Sequence, residues 1–222
     1  MVTLFPRLVE SYFTESIVAR ARRTGKIRVA IHDLRDYGGE RYRIDDRPYG
    51  GGPGMVIRAE PVIRAVAAIK RRAPRARVII LSPGGKEFND QVAARWAKQR
   101  KSLILVAGRY EGIDARAKKV LKAEEVSIGN YTVTGGELPA LVILDAVTRR
   151  LPGVLGDDQS VEEKRIASHE VYTRPETITI KGHCYRVPRI LLSGHQAKID
   201  GWKLNKNARG GSRTHIPCGT RF

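Results

Sequence analysis

The sequence predicts an α/β fold: a mostly parallel sheet with helices on both faces, followed by a small, mainly helical, C-terminal domain. Three observations predict it. Short apolar runs at Arg77 to Leu81, Leu103 to Val106 and Val126 to Ile128 read as buried strands. Stretches of helical period alternate with them through residue 150. Each run ends in a glycine-containing turn, at Ser82-Pro-Gly-Gly-Lys86, at Gly108 and at Gly129. Carboxyl ends of neighbouring strands are where α/β sheets hold ligands, so the three turns predict one crevice.

Met1 to Phe5 is expected to form a short first strand, with no leader-like segment before Phe5-Pro6. Leu8, Val9, Tyr12, Phe13 and Ile17 are spaced for the buried face of one helix, with Gly25 as its C-cap. Ile27, Val29 and Ile31 alternate as a half-buried strand leading into His32-Asp33. From Pro48 to Met55, four glycines and two prolines in eight residues exclude both helix and regular strand. A tight turn is one reading of that stretch. The other is a loop whose backbone lies flat against a large planar ligand, with Asp45, Asp46 and Arg47 as polar handles. It lacks the lysine-plus-hydroxyl ending of a P-loop, which excludes that class of NTPase.

Glu60 to Ala73 is an amphipathic helix with Val62, Ile63, Val66 and Ile69 inward, and Phe88 to Ala97 is the next. No GxGxxG follows the first strand, which counts against a Rossmann donor site. Glu137 to Arg150 is apolar nearly all round and is stopped by Pro152-Gly153. Such a helix is buried on several sides, either as a central core helix or at a dimer interface.

With 222 residues the chain is long enough for one large domain and one small one. Its 41 Lys+Arg against 23 Asp+Glu give a net charge of +18, which suits a polyanion. No segment approaches the roughly 20 apolar residues of a membrane span, so nucleic acid is favoured over a membrane. The cations cluster at Lys70 to Arg77, Arg95 to Lys101 and Arg116 to Lys122, at helix ends or outer faces. Two cysteines, Cys184 and Cys218, are too few and too scattered for a disulfide framework or a zinc site, which points to a reducing cytoplasm.

Gly108-Arg-Tyr-Glu-Gly-Ile-Asp114 and Ser127-Ile-Gly-Asn-Tyr-Thr-Val-Thr-Gly-Gly-Glu-Leu-Pro139 resemble the bacterial tRNA (guanine-N1)-methyltransferase family, as do Tyr49-Gly-Gly-Gly-Pro-Gly54 and Tyr172-Thr-Arg-Pro175. The resemblance extends from Leu4 to about Lys203. It implies S-adenosyl-L-methionine as methyl donor, tRNA as partner and methylation at N1 of the guanosine at tRNA position 37. It also implies a SPOUT-type fold with a trefoil knot, and a cytoplasmic homodimer with the active site at the subunit interface. Pro83, Gly108, Tyr110, Glu111, Ile128, Gly129, Asn130, Tyr131, Thr132, Val133, Gly135 and Gly136 are then the donor-binding residues. Asp45, Asp46, Arg47, Tyr49 and Gly50 are then on the substrate side. Asn130 stands where relatives usually carry aspartate, and the main chain around it would still cradle adenosine.

Guanine N1 carries a proton near neutral pH, so its methylation needs a base there and a cation for charge building on O6. No metal site or covalent nucleophile is demanded, and a need for Mg2+ leaves no mark in the sequence. Arg149 matches the family's catalytic arginine and is assigned the O6 role. The family's aspartate base does not match: an ungapped comparison puts Lys164 at its place, and Glu163, or Glu162 beside it, is the candidate base. The domain boundaries expected are 1–156 for the donor-binding domain, 157–171 for a linker, 172–205 for a short tRNA-binding domain and 206–222 for a non-matching, disordered tail. Thr177 to Lys181 and Cys184 to Val187 alternate around Gly182 as a hairpin, and a short helix passes through Ile199 and Trp202. Two rival readings stay open: a catalytically weak RNA-binding protein on the same fold, and a 2′-O-ribose RNA methyltransferase.

Overall fold

The structure, a computed structural model, describes residues 1–39, 43–155, 170–208 and 216–217. The chain divides into two compact units, Met1–Gly156 and Asp157–Phe222. The strands of the first are β1 (Val2–Thr3), β2 (His32–Asp33), β3 (Asp45–Asp46), β4 (Val56–Ile57), β5 (Arg77–Glu87), β6 (Leu103–Val106) and β7 (Glu124–Ser127). Its helices are α1 (Pro6–Glu10), α2 (Ser16–Arg23), α3 (Ala59–Arg72), α4 (Asp90–Gln99), α5 (Ala115–Leu121) and α6 (Glu137–Thr148). Five strands form the central sheet in the order β2-β1-β6-β5-β7, and every pairing in it is parallel. β3 and β4 form a separate antiparallel pair.

The alternation along β5 builds both layers. Val78 and Ile80 point into a core with Val62, Val66 and Ala117 of α3 and α5. Ile79 and Leu81 point into the opposite core, with Val9, Val18, Trp96, Ala140 and Ile143 from α1, α2, α4 and α6. β6 divides likewise, with Ile104 and Val106 on one side and Leu105 on the other. A sheet covered on both faces explains why its strands read as unbroken apolar runs.

The structure departs from the sequence reading at three elements. The segment 6–23 is two short helices joined by a 3-10 turn at Ser11–Phe13, not one helix. The chain restarts at Ser16 with φ +61°, which rotates the second helix off the first one's register. Val9 and Phe13 are buried, but Leu8 (56% exposed), Tyr12 and Ile17 face outward. Second, β5 does not end at Leu81. Leu81 and Lys86 both pair with Val126, so Ser82–Gly85 bulge out and the strand resumes to Glu87. Gly85 lies so close to β7 that an added Cβ would stand 2.4 Å from the Val126 amide nitrogen. Third, Ile27 to Ile31 is not a strand; β2 is only His32–Asp33, although Ile27, Val29 and Ile31 pack half-buried against the core.

In the second unit, β8 (Thr177–Ile180) and β9 (His183–Arg186) pair antiparallel, turning at Lys181-Gly182. β10 (Ile216–Pro217) pairs with β9, and α7 runs over Gln196–Ala208, past the boundary at 205 expected from the sequence. Cys184 on β9 is disulfide-bonded, where the sequence pointed to reduced thiols. Among the described residues no helix is long and apolar enough to cross a membrane.

Candidate active site

β5, β6 and β7 point their carboxyl ends the same way, and past them lies a cleft of about 440 Å³. Three segments wall it: Ile80 to Pro83 with the bulge of β5, Gly108 to Ile113 after β6, and Glu125 to Gly136 with the turn after β7, closed by Pro139 of α6. Ten of the twelve expected donor-binding residues line it: Pro83, Gly108, Tyr110, Glu111, Ile128, Tyr131, Thr132, Val133, Gly135 and Gly136. Gly129 and Asn130 form the bend of the third wall without lining the cleft. The Ser127 hydroxyl fixes that bend, donating to the Gly129 carbonyl at 2.8 Å and accepting from its amide at 3.2 Å.

The third wall offers main-chain donors. The amides of Asn130, Thr132, Val133 and Thr134 donate to no acceptor among the described residues. Apolar side chains of Ile80, Leu81, Ile113, Val126, Ile128 and Pro139 supply the other wall character. A planar, many-acceptor ligand such as a nucleoside matches this arrangement: apolar walls for its ring faces and amides for its edge.

The walls are held by close approach. Gly136 donates its amide to the Gly108 carbonyl at 2.8 Å. A Cβ on Gly136 would stand 2.7 Å from the Ala107 Cα and 2.8 Å from the Gly108 nitrogen. Beneath them lies a charged pair that sequence reasoning missed. Arg109 Nε donates to Glu137 Oε2 at 2.9 Å, and the Thr3 hydroxyl donates to Glu137 Oε1 at 2.6 Å. Glu137 is 3% exposed, and the Arg109 guanidinium also stacks 4.5 Å from the centre of the Phe5 ring. One signal was available: a carboxylate opening an otherwise apolar helix needs a partner. Ser82, Gly112, Ile113, Thr134 and Pro139 also line the cleft without having been singled out.

The expected substrate-side residues lie apart from the cleft lining but adjoin it. Asp45 and Asp46 form β3, and Arg47, Tyr49 and Gly50 lie in the turn that follows. Gly50, Gly51 and Gly52 take φ of +88°, +80° and +110°, a run that only glycine adopts without strain. The far end of this loop meets the second wall: Glu111 donates its amide to the Met55 carbonyl at 3.0 Å, and Ile57 to that of Gly112 at 2.9 Å. The Asp45 carboxylate lies near the Tyr110 hydroxyl. Partial burial, and then Asp45, raise the Tyr110 phenol above its ordinary pKa.

Arg149 is not at this cleft. It caps the carboxyl end of α6, whereas the cleft is at the amino end. At 1.5 Å per residue, Arg149 lies roughly 15 Å along the axis from Pro139. Glu162, Glu163 and Lys164 lie outside the described residues. Among the described residues no group of three or more His, Cys, Asp or Glu is placed to hold a metal ion. A larger cavity of about 610 Å³ opens at the opposite end of the sheet, walled by Ile27, Val29, Leu103, Leu144 and Val147. None of the expected site residues lines it, so the smaller cleft is the candidate site.

Comparison with known proteins shows the family. The model of the family described as "tRNA (Guanine-1)-methyltransferase TrmD" matches residues 1–216, which takes in 206–216 of the stretch 206–222 that was expected not to match. A tRNA (guanine-N(1)-)-methyltransferase of Methylococcus capsulatus is 46% identical over 212 residues, 93% of this chain and 82% of that protein. One of Geobacter sulfurreducens is 44% identical over 211 residues, 93% and 84%. One of Dehalococcoides mccartyi is 42% identical over 215 residues, 94% and 85%.

Proposed function

This chain belongs to the tRNA (guanine-1)-methyltransferase family, and we propose that it methylates N1 of the guanosine at tRNA position 37 from S-adenosyl-L-methionine. The observation that supports the donor site is the third wall: a glycine-braced turn with its amides at Thr132 to Thr134 unused, facing apolar strand ends. Those amides would hold the adenine edge, Leu81, Ile128 and Pro139 its faces, and Pro83 and Gly108 the remaining walls. When bound, the donor supplies an electrophilic methyl group on a sulfonium.

The chain's own part is to hold the guanine and manage its charge. A carboxylate at Glu163, or Glu162, takes the N1 proton. N1, freed of its proton, would be the atom that takes the methyl group supplied by the bound donor, whose sulfur would keep the carbon–sulfur electron pair. Arg149 donates to O6, where negative charge collects as the proton leaves. Asp45, Asp46, Arg47, Tyr49 and Gly50 orient the base over the cleft. Most of the rate enhancement then comes from positioning two reactants, since the sulfonium is already activated.

Arg149 stands at the end of α6 remote from its own subunit's cleft, and this supports a homodimer with shared sites as the working unit. α6 leaves Leu138 (60% exposed) and Val142 uncovered, and Leu8, Tyr12 and Ile17 of 8–17 are apolar and outward as well. Partial burial, and then the Asp145 carboxylate of α6, raise the Tyr12 phenol above its ordinary pKa, so these residues adjoin one another. A second copy packing its own α6 there would bring its Arg149 toward this cleft. The trefoil knot belongs to the same reading, supported by the packing of Gly136 beneath Gly108. So do the tRNA-binding role of residues 172–205 and a cytoplasmic location, where tRNA is matured.

Incubation with labelled donor and tRNA bearing guanosine or adenosine at position 37, then digestion, tests the reaction. N1-methylguanosine from the first tRNA alone is expected. Methylation of ribose, or donor binding with no transfer to either tRNA, refutes it. Mixing an Arg149→Ala copy with a Gly136→Val copy tests the sharing. Each is inactive alone, and mixed dimers regain up to one working site; no recovery means the arginine serves its own subunit.

A further inference from the structure

The sheet's amino edge, opposite the candidate cleft, gathers cations in a pattern that neither fold nor donor binding requires. β6, β5 and β7 are adjacent and parallel, and each is preceded by a cation two residues before its first residue: Lys101, Arg75 and Lys122. Together with Lys70 and Arg77 these three line one open depression of about 310 Å³, in which Glu124 is the sole acid. Glu124 is taken up by Arg77, at 3.3 Å. Lys70, Arg75, Lys101 and Lys122 form no ion pair among the described residues.

Cations in the last turn of a helix complement its dipole, and Lys70 of α3 is accounted for in that way. Arg75 and Lys101 stand beyond the helix ends. Lys122 is itself a C-cap with φ +48°, and Arg100 beside Lys101 is another with φ +49°. Glycine fits such left-handed caps without strain, yet both carry long cationic side chains. Strands about 4.8 Å apart set the three cations in a row of regular steps. A row of unpaired charges at such spacing suits a chain of phosphates better than a single anion.

We propose that this edge is a second RNA-binding surface that grips the phosphate backbone of tRNA outside the methylated anticodon loop. The proposal rests on the reading of the chain as a tRNA-modifying enzyme. The surface reads no sequence, because Lys and Arg facing phosphates contribute affinity without base discrimination. The donor cleft lies at the other end of the strands, at least roughly 13 Å away by the length of β6, so only an extended polynucleotide spans both.

The test is tRNA binding as a function of salt by the triple variant Arg75→Gln, Lys101→Gln, Lys122→Gln. Its salt slope should fall by roughly 2 to 3 and its affinity at moderate salt by about tenfold or more. KM for whole tRNA should rise with kcat unchanged, donor affinity should stay, and a short anticodon stem-loop should be far less affected. The charge-preserving triple Arg75→Lys, Lys101→Arg, Lys122→Arg should behave as wild type, and so should Lys118→Gln, whose ammonium is already paired with Glu125. An unchanged slope in the neutralised triple overturns the proposal. So does a variant that binds tRNA normally but loses binding to phosphatidylserine vesicles. A wild type that binds tRNA with the expected slope changes yet methylates none would refute the proposed reaction and leave this surface standing.

Discussion

Replacing Gly136 by alanine separates close approach from backbone freedom. Gly136 has φ −75° and ψ −2°, a conformation that alanine adopts readily, so the substitution introduces no dihedral strain. By chain entropy alone it would stabilise by about 0.4–1 kcal/mol. Against this, the new Cβ would meet the Ala107 Cα at 2.7 Å and the Gly108 nitrogen at 2.8 Å, and neither atom can rotate away. Carbon atoms pack at about 3.5–4.0 Å, so two walls of the cleft must separate by nearly an ångström. Overpacking of this kind costs about 1–3 kcal/mol, which outweighs the entropy gain. The same displacement stretches the Gly136–Gly108 hydrogen bond and moves the cleft lining. Donor affinity should therefore drop by about tenfold or more, since about 1.4 kcal/mol is a factor of ten. Calorimetric titration with S-adenosylmethionine and thermal melting read both effects. Gly84→Ala is the control: nothing lies within 4 Å of its Cβ and its φ is not positive, so it should be neutral in both. Wild-type affinity and melting in Gly136→Ala would show that the walls have slack and that the close-approach reasoning is wrong.

Glu137→Ala should destabilise the fold by about 3 kcal/mol, because it leaves the half-buried Arg109 guanidinium beside Phe5 without its carboxylate and the buried Thr3 hydroxyl without its acceptor. Arg109→Ala should cost a similar amount and the double variant much less than the sum, by denaturant unfolding; strict additivity would mean that the two do not act as a pair. Asp114→Asn should weaken the start of α5, since the Asp114 side chain accepts from the Arg116 amide at 2.9 Å and from its guanidinium. Arg116 beside it lowers the Asp114 pKa, so its stabilisation is complete above the unfolded value near 3.9 and fades as pH falls through the lower folded value. Melting curves should separate wild type and variant at neutral pH and merge in strong acid; a constant gap would leave the carboxylate's charge without a part in it. Glu163→Gln should slow methyl transfer while leaving donor affinity intact, and unchanged single-turnover rates would remove Glu163 as the base.

The central sheet was readable because its strands are buried on both faces, so apolar runs such as Ile79-Ile80-Leu81 stand out from their polar surroundings. The cleft was readable because glycine marks the places where main chain approaches main chain. The bulge at Ser82–Gly85 was not. Proline and two glycines read as a strand's end, and only the pairing of both Leu81 and Lys86 with Val126 shows that the strand resumes. The Arg109–Glu137–Thr3 network joins residues more than a hundred positions apart, which no local period reports.

The misreading of residues 8–17 has a more general cause. An apolar period states that a face is withdrawn from water, not what withdraws it. Leu8, Tyr12 and Ile17 carry the same signature as Val9 and Phe13, yet only the latter two enter this chain's own core. The same observation bears on the two alternatives left open for α6, core helix and dimer interface. Ala140, Leu141 and Ile143 serve the core, while Leu138 and Val142 on the other side do not. A helix apolar on most sides, with Leu138 and Val142 exposed and an arginine at the end remote from its own cleft, fits the proposed homodimer. Burial of those side chains by a second copy would stabilise the dimer by about 25 cal/mol per Å² of apolar surface before association costs. The same contact that hides the apolar face would complete the site, so dimer dissociation and loss of methyl transfer should follow one concentration dependence.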